Sequence, residues 1–118
     1  MGSRWYTVVI DSHDPASLAR FWAAVLDYGI VFEDEGEVVI TKDENTNPGL
    51  AFFPVPEGKA GKNRLHIDLN PDDQDAEIQR ILGLGARRVD VGQTGEETWT
   101  VLADPEGNEF CVLTAREQ

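Results

Sequence analysis

The chain has 118 residues, 41% of them hydrophobic and 27% charged, which suits a single globular domain with room for a real core. Its 22 acidic and 10 basic residues leave a net charge of −12, which repels a duplex or an anionic membrane and argues against nucleic-acid and membrane-surface roles. No apolar run reaches the ~20 residues of a membrane span and no signal-peptide pattern opens the chain; the single cysteine, Cys111, excludes an internal disulfide, so a reduced, cytoplasmic setting is expected.

Trp5–Asp11 is rich in β-branched and aromatic residues and reads as a strand. His13-Asp14-Pro15 then opens a helix over Asp14–Asp27, with Asp14 as N-cap and Pro15 at the first helical position. Leu18, Phe21, Trp22, Val25 and Leu26 recur at helical spacing and form its core stripe, and Gly29 is the expected stop. Ile30–Glu33 and Glu37–Lys42 read as strands around the turn Asp34-Glu35-Gly36. Asp43–Pro48 is a polar loop, and Gly49–Val55 a fourth strand ended by prolines.

The stretch Glu57–Asn63 is the one linker-like segment, with two glycines and no apolar side chain larger than Ala60. The grammar then repeats. Arg64–Asn70 reads as a strand, Asp72–Leu84 as a helix, Ala86–Val91 as a strand, Gly92–Glu97 as a loop, and Thr98–Ala103 with Glu109–Thr114 as a hairpin around Asp104-Pro105-Glu106-Gly107-Asn108. An offset of 60 carries Leu18, Phe21 and Trp22 onto Ile78, Ile81 and Leu82, the inward positions of the second helix. The fold class is therefore α+β: one domain, 1–118, of two tandem βαβββ modules, 5–56 and 64–115, with helices on the outer faces.

Arg64–Asn70 alternates. Leu65, Ile67 and Leu69 share one face; His66, Asp68 and Asn70 share the other. An imidazole and a carboxylate at i and i+2 can orient a ligand, or act as a base held by an acid. The bland alternatives are a buried structural histidine and, last in order, a metal ligand. If the final hairpin pairs residue 101 with 111, Trp99 and Val101 face the same way as Cys111, and the indole offers a surface for a flat ligand. A tryptophan that merely fills space is the competing reading. Trp5 shares a face with Thr7 and borders the same side. Cys111 is by default an inert thiol, since a nucleophile needs a base and His66 is the one candidate. Lys62 and Arg64 are placed to meet an anionic ligand, though such runs are usually solvated.

The segments DPASLARFW, KNRLHIDL and LADPEGNEFCVL, spread over residues 5–115, resemble the glyoxalase-like domain proteins of the vicinal oxygen chelate superfamily, which also holds glyoxalase I, extradiol dioxygenases and bleomycin-resistance proteins. The resemblance implies curved sheets that form an open barrel-like cleft, and a homodimer. In metal-dependent relatives four ligands come from the first and fourth strands of each module. Carried over by position they fall near Thr7, Phe53, His66 and Cys111, and of these His66 alone is a usual ligand. Asp11 and Asp68 are nearby carboxylates able to supplement such a set. The expectation is a small-molecule-binding protein with an apolar, aromatic cleft, ligand contacts at Thr7, Phe53, His66, Trp99, Val101 and Cys111, catalytic candidates His66 and Asp68, and no standard metal cofactor. The alternative is a lyase, isomerase or dioxygenase with a rebuilt divalent-metal site.

Overall fold

The structure, a computed structural model, describes residues 2, 4–43, 45–61, 63–89 and 98–115. The expected loop Gly92–Glu97, the end of the expected strand Ala86–Val91, and Lys62 lie outside them. The chain divides into two units, Met1–Gly58 and Lys59–Gln118. Each is mixed α+β in the order strand, helix, three strands, as the repeat predicts.

Unit 1 contains β1 (Thr7–Ser12), α1 (Pro15–Leu26), β2 (Gly29–Asp34), β3 (Glu37–Thr41) and β4 (Gly49–Pro54), in the sheet order β1-β4-β3-β2. The edge strand β1 runs parallel to β4: Val9 stands against Ala51 and Ile10 against Phe52. β3 runs antiparallel to β4, with Val38 opposite Phe52 and Ile40 opposite Leu50. These registers put Val38, Ile40, Leu50 and Phe52 on one face, where all four are buried with Leu18, Phe21, Trp22 and Val25 of α1. Phe21 and Trp22 meet edge to face, their rings 5.3 Å apart. The other face carries Thr7, Val9, Val39, Ala51 and Phe53.

Local chemistry sets the ends of α1. The Asp14 carboxylate accepts from the Ser17 N–H, and Pro15 begins the helix. The stop is not Gly29, which already belongs to β2. Asp27 ends the helix in the left-handed region (φ 57°), a conformation that its short polar side chain tolerates. The turn between β2 and β3 has positive φ at Glu35 and Gly36, the twist that suits a two-residue hairpin.

Unit 2 contains β5 (Asp68–Leu69), α2 (Gln74–Gly83), β6 (Arg87–Arg88), β7 (Thr100–Ala103) and β8 (Glu109–Val112), in the sheet order β5-β8-β7-β6. Asp73 caps α2 as Asp14 caps α1, accepting from the Ala76 N–H. Ile78 and Ile81 are buried, whereas Leu82 is half-buried. The DPEGN loop has a structural role. Asp104 is buried and its carboxylate accepts from the backbone N–H groups of Glu106 and Asn108 and from the Asn108 amide, while Gly107 supplies a φ of 90°.

The first strand of unit 2 is much shorter than the expected Arg64–Asn70. Its partner β8 begins at Glu109, so ladder bonds start with the Cys111 N–H donating to the Ile67 carbonyl and continue from Leu113 to Leu69. Ahead of that, Asn63 fastens the chain through its side chain to the Glu109 carbonyl. Leu65 therefore packs on nothing: it is 86% exposed, against the inward place that alternation predicts.

Neighbouring phenylalanines test the two faces of the unit 1 sheet. Phe52 is fully buried and Phe53 is 36% exposed. Phe52→Ala is expected to lower unfolding free energy by about 3–5 kcal/mol in urea titration, and Phe53→Ala by less than about 1.5 kcal/mol.

Candidate functional site

The candidate site of unit 2 is assembled by strand register. The Cα partners of Cys111 are Val101 on the antiparallel side and Asp68 on the parallel side. A sheet displays paired residues on a common face, so the thiol, the carboxylate and the valine are neighbours. The 101–111 pairing is the one that the hairpin spacing predicts. His66 stands two residues before Asp68, and its Nε2 lies 3.1 Å from Asp68 Oδ1. Trp99, 41% exposed, stands two residues before Val101. These five residues line one pocket of about 330 Å³.

Sequence reasoning missed four further lining residues: Asn63, Glu109, Phe110 and Leu113. Glu109 and Leu113 were legible in principle, because they share the parity of Cys111 along the strand. Glu109 is also engaged at the pocket's edge. Lys59 Nζ lies 3.2 Å from its Oε2, and Lys59 also donates to the Gly61 carbonyl. Burial pushes the Glu109 carboxyl up, but the Asn63 N–H and the Lys59 ammonium outweigh it and hold the group below the usual range.

About half of each side chain in the His66–Asp68 pair is exposed, 53% and 50%. A pair this open to water adds at most about 1 kcal/mol to stability. The alternative of a buried structural histidine, with a carboxylate stranded by its loss, does not describe this geometry. Cys111 is different: it is 9% exposed. Burial pushes its thiol above the ordinary cysteine value, and the negative charge of Asp68 and a hydrogen bond to it push the same way. One ring nitrogen of His66, one carboxylate oxygen of Asp68 and the Cys111 Sγ all lie within 4.8 Å of one another.

Unit 1 repeats this geometry without its chemistry. The caps Asp14 and Asp73 are 59 residues apart, and the same offset carries Thr7 onto His66 and Val9 onto Asp68. Val9 pairs with Ala51 as Asp68 pairs with Cys111. Thr7 and Phe53 line a pocket of about 580 Å³ in unit 1, with Tyr6, Val9, Val39 and Ala51 among its other walls. The Thr7 hydroxyl donates to the Gly49 carbonyl at 3.2 Å. Asp11 is exposed and Trp5 is 67% exposed; neither lines that pocket. The donor set that the family resemblance implies, Thr7, Phe53, His66 and Cys111, therefore does not fit a metal: a phenyl ring has no donor atom and the threonine oxygen is engaged by the backbone.

The raised thiol has a measurable consequence. At pH 8 Cys111 is protonated, so alkylation by iodoacetamide is expected to be slow and to speed up as pH rises past the ordinary thiol value. Asp68→Asn removes the repelling charge and is expected to raise the pH 8 rate by about two- to tenfold, read by mass spectrometry of the modified chain.

The model of the glyoxalase-like domain family matches residues 7–113. A glyoxalase/bleomycin resistance protein/dioxygenase family enzyme from Burkholderia phytofirmans PsJN is similar in fold, with TM-score 0.71, 17% identity, and coverage of 93% of this chain and 97% of that one. The fosfomycin resistance protein FosX from Mesorhizobium loti has TM-score 0.69 and 18% identity, covering 98% and 94%. A bleomycin-binding protein complexed with bleomycin has TM-score 0.62 and 23% identity, covering 97% and 100%. No curated protein matches the chain in sequence. With the family model running through almost the whole chain, the protein belongs to the glyoxalase-like domain family of the vicinal oxygen chelate superfamily.

Proposed function

We propose that the protein binds a small molecule in the unit 2 pocket. The observation that carries this reading is the lining: Trp99, Val101 and Leu113 supply apolar and aromatic surface, and the half-exposed His66–Asp68 pair supplies the few polar groups that orient a ligand. A protein of this fold is complexed with bleomycin, which supports antibiotics as the ligand class to try first. We read the two units as one domain because a single family model spans both. A cytoplasmic homodimer completes the reading, on the family resemblance; among the described residues no helix is long and apolar enough to cross a membrane. Light scattering at micromolar concentration is expected to give twice the mass of one chain, and a monomer would count against the dimer.

A second reading is an enzyme of the lyase, isomerase or dioxygenase kind. It is favoured by one feature, an imidazole held by a carboxylate beside a thiol. Turnover by chelator-treated protein that disappears in His66→Ala would support it over simple binding.

The binding reading is tested by thermal shift against a panel of antibiotics and metabolites, with chelator present. A ligand that binds the native state raises the melting temperature by mass action. Against any such hit, His66→Ala is expected to weaken affinity by about tenfold or more, because the ligand's polar group loses its partner. Its melting temperature without ligand should stay close to that of the unsubstituted chain, since the side chain is half-exposed. Unchanged affinity in that variant, or no hit across the panel, would set the reading aside.

A further inference from the structure

Building on the small-molecule reading and resting on it, we infer that the unit 2 pocket selects cationic aromatic amines. The ammonium is held by the Asp68 carboxylate and the ring lies against the Trp99 indole.

The charge of the pocket wall fixes the ammonium. Among the described residues no lysine or arginine lines the pocket, and its two carboxylates are not equivalent. Glu109 is already engaged. Lys59 Nζ lies 3.2 Å from its Oε2, the Asn63 N–H donates to its Oε1, and the two charged side chains are only 20% and 18% exposed. Asp68 has acceptor capacity left. A carboxylate offers roughly four acceptor positions. His66 Nε2, 3.1 Å away, and the Cys111 thiol take two of them, and half of the Asp68 side chain still faces solvent. An ammonium brings three donors and the opposite charge to what remains, whereas a carboxylate or phosphate there meets a like charge. Arg64, which the sequence offers as a partner for an anionic ligand, is exposed and does not line the pocket.

The width of the sheet places the ring. Asp68 sits on β5 and Val101 on β7, with Cys111 between them on β8. Two interstrand steps are about 10 Å. Trp99 stands two residues before Val101 and is 41% exposed. A ligand that touches both walls therefore carries its charge at one end and a flat apolar body at the other, with Val101 and Leu113 beside that body. A simple ammonium ion reaches Asp68 and leaves the indole bare.

The test is ¹H–¹⁵N NMR titration of the intact chain, in chelator and at low salt, with three probes of similar shape: benzylamine, benzyl alcohol and benzoate. Benzylamine is expected to bind about fivefold or more tightly than benzyl alcohol, and benzoate more weakly than either, with shifts at the Trp99 indole N–H and the Asp68 amide. Asp68→Asn is expected to bring benzylamine down to the level of benzyl alcohol. Asp75→Asn changes the net charge equally from the exposed first turn of α2 and should leave the preference intact. Trp99→Leu is expected to weaken both probes by about threefold or more and to keep the preference between them. Circular dichroism checks the fold of each variant; should Asp68→Asn unfold, the ranking of the probes on the unsubstituted chain and on Asp75→Asn decides. Equal binding of benzylamine and benzyl alcohol, a preference that survives in Asp68→Asn or falls as much in Asp75→Asn, or unchanged affinities in Trp99→Leu would each overturn the amine selection and leave the small-molecule reading standing. If none of the three probes moves the Trp99 indole or the Asp68 amide at tens of millimolar, both are set aside.

Discussion

The chemistry of unit 2 depends on one rung of a β-sheet, the parallel pairing of Asp68 with Cys111. A strand sends alternate residues to opposite faces, so this rung sorts the segment. Phe110 and Val112 go to the buried side, and Cys111 goes to the pocket with Val101 as its other partner. On the opening strand the same phase puts His66 beside Asp68. A slip of one residue would exchange the faces, bury a charge and expose Phe110. The hydrophobic demand of the core therefore holds the polar cluster in register, and the cluster itself needs to contribute little stability.

The turn at Asp104–Asn108 enforces that register. The buried carboxylate accepts from the two backbone N–H groups and the amide that the turn would otherwise leave unpaired, and Gly107 takes a φ that a side chain would strain. The most recognisable motif in the chain thus acts as a structural clamp. It places Val101 against Cys111 and has no chemical part of its own. Fold and function are separable in this way: the turn sets the register, and the residues on the neighbouring rungs set the chemistry.

Much of the fold was legible in the sequence, because caps and apolar stripes are local signals. Asp14 and Pro15 announce α1, the stripe from Leu18 to Val25 announces its buried face, and the 60-residue echo announces the second unit. What was not legible depends on partners distant in sequence. Leu65 has the right alternation for an inward place and is exposed, because β8 starts too late to pair with that segment. Gly29 looks like a helix stop, but Asp27 already takes the left-handed conformation. In the site, His66, Asp68, Trp99, Val101 and Cys111 could be gathered from strand phase alone. The join of the thiol to the carboxylate could not, because nothing local says that residue 111 pairs with residue 68. Thr7 and Phe53 illustrate the same limit: the fold repeats, and unit 1 carries no chemistry to match that of unit 2.

Net charge adds a condition on any ligand. At −12 the chain repels strongly anionic molecules at long range, so neutral or cationic ligands have the advantage on approach. The central claim is that the unit 2 pocket is where a small molecule binds, and ¹H–¹⁵N NMR during titration with a ligand tests it most directly. The account predicts chemical-shift changes concentrated on the Trp99 indole N–H and the amides of Asp68 and Cys111. Changes confined to residues around Thr7 and Phe53, with the Trp99 indole unmoved, would contradict it.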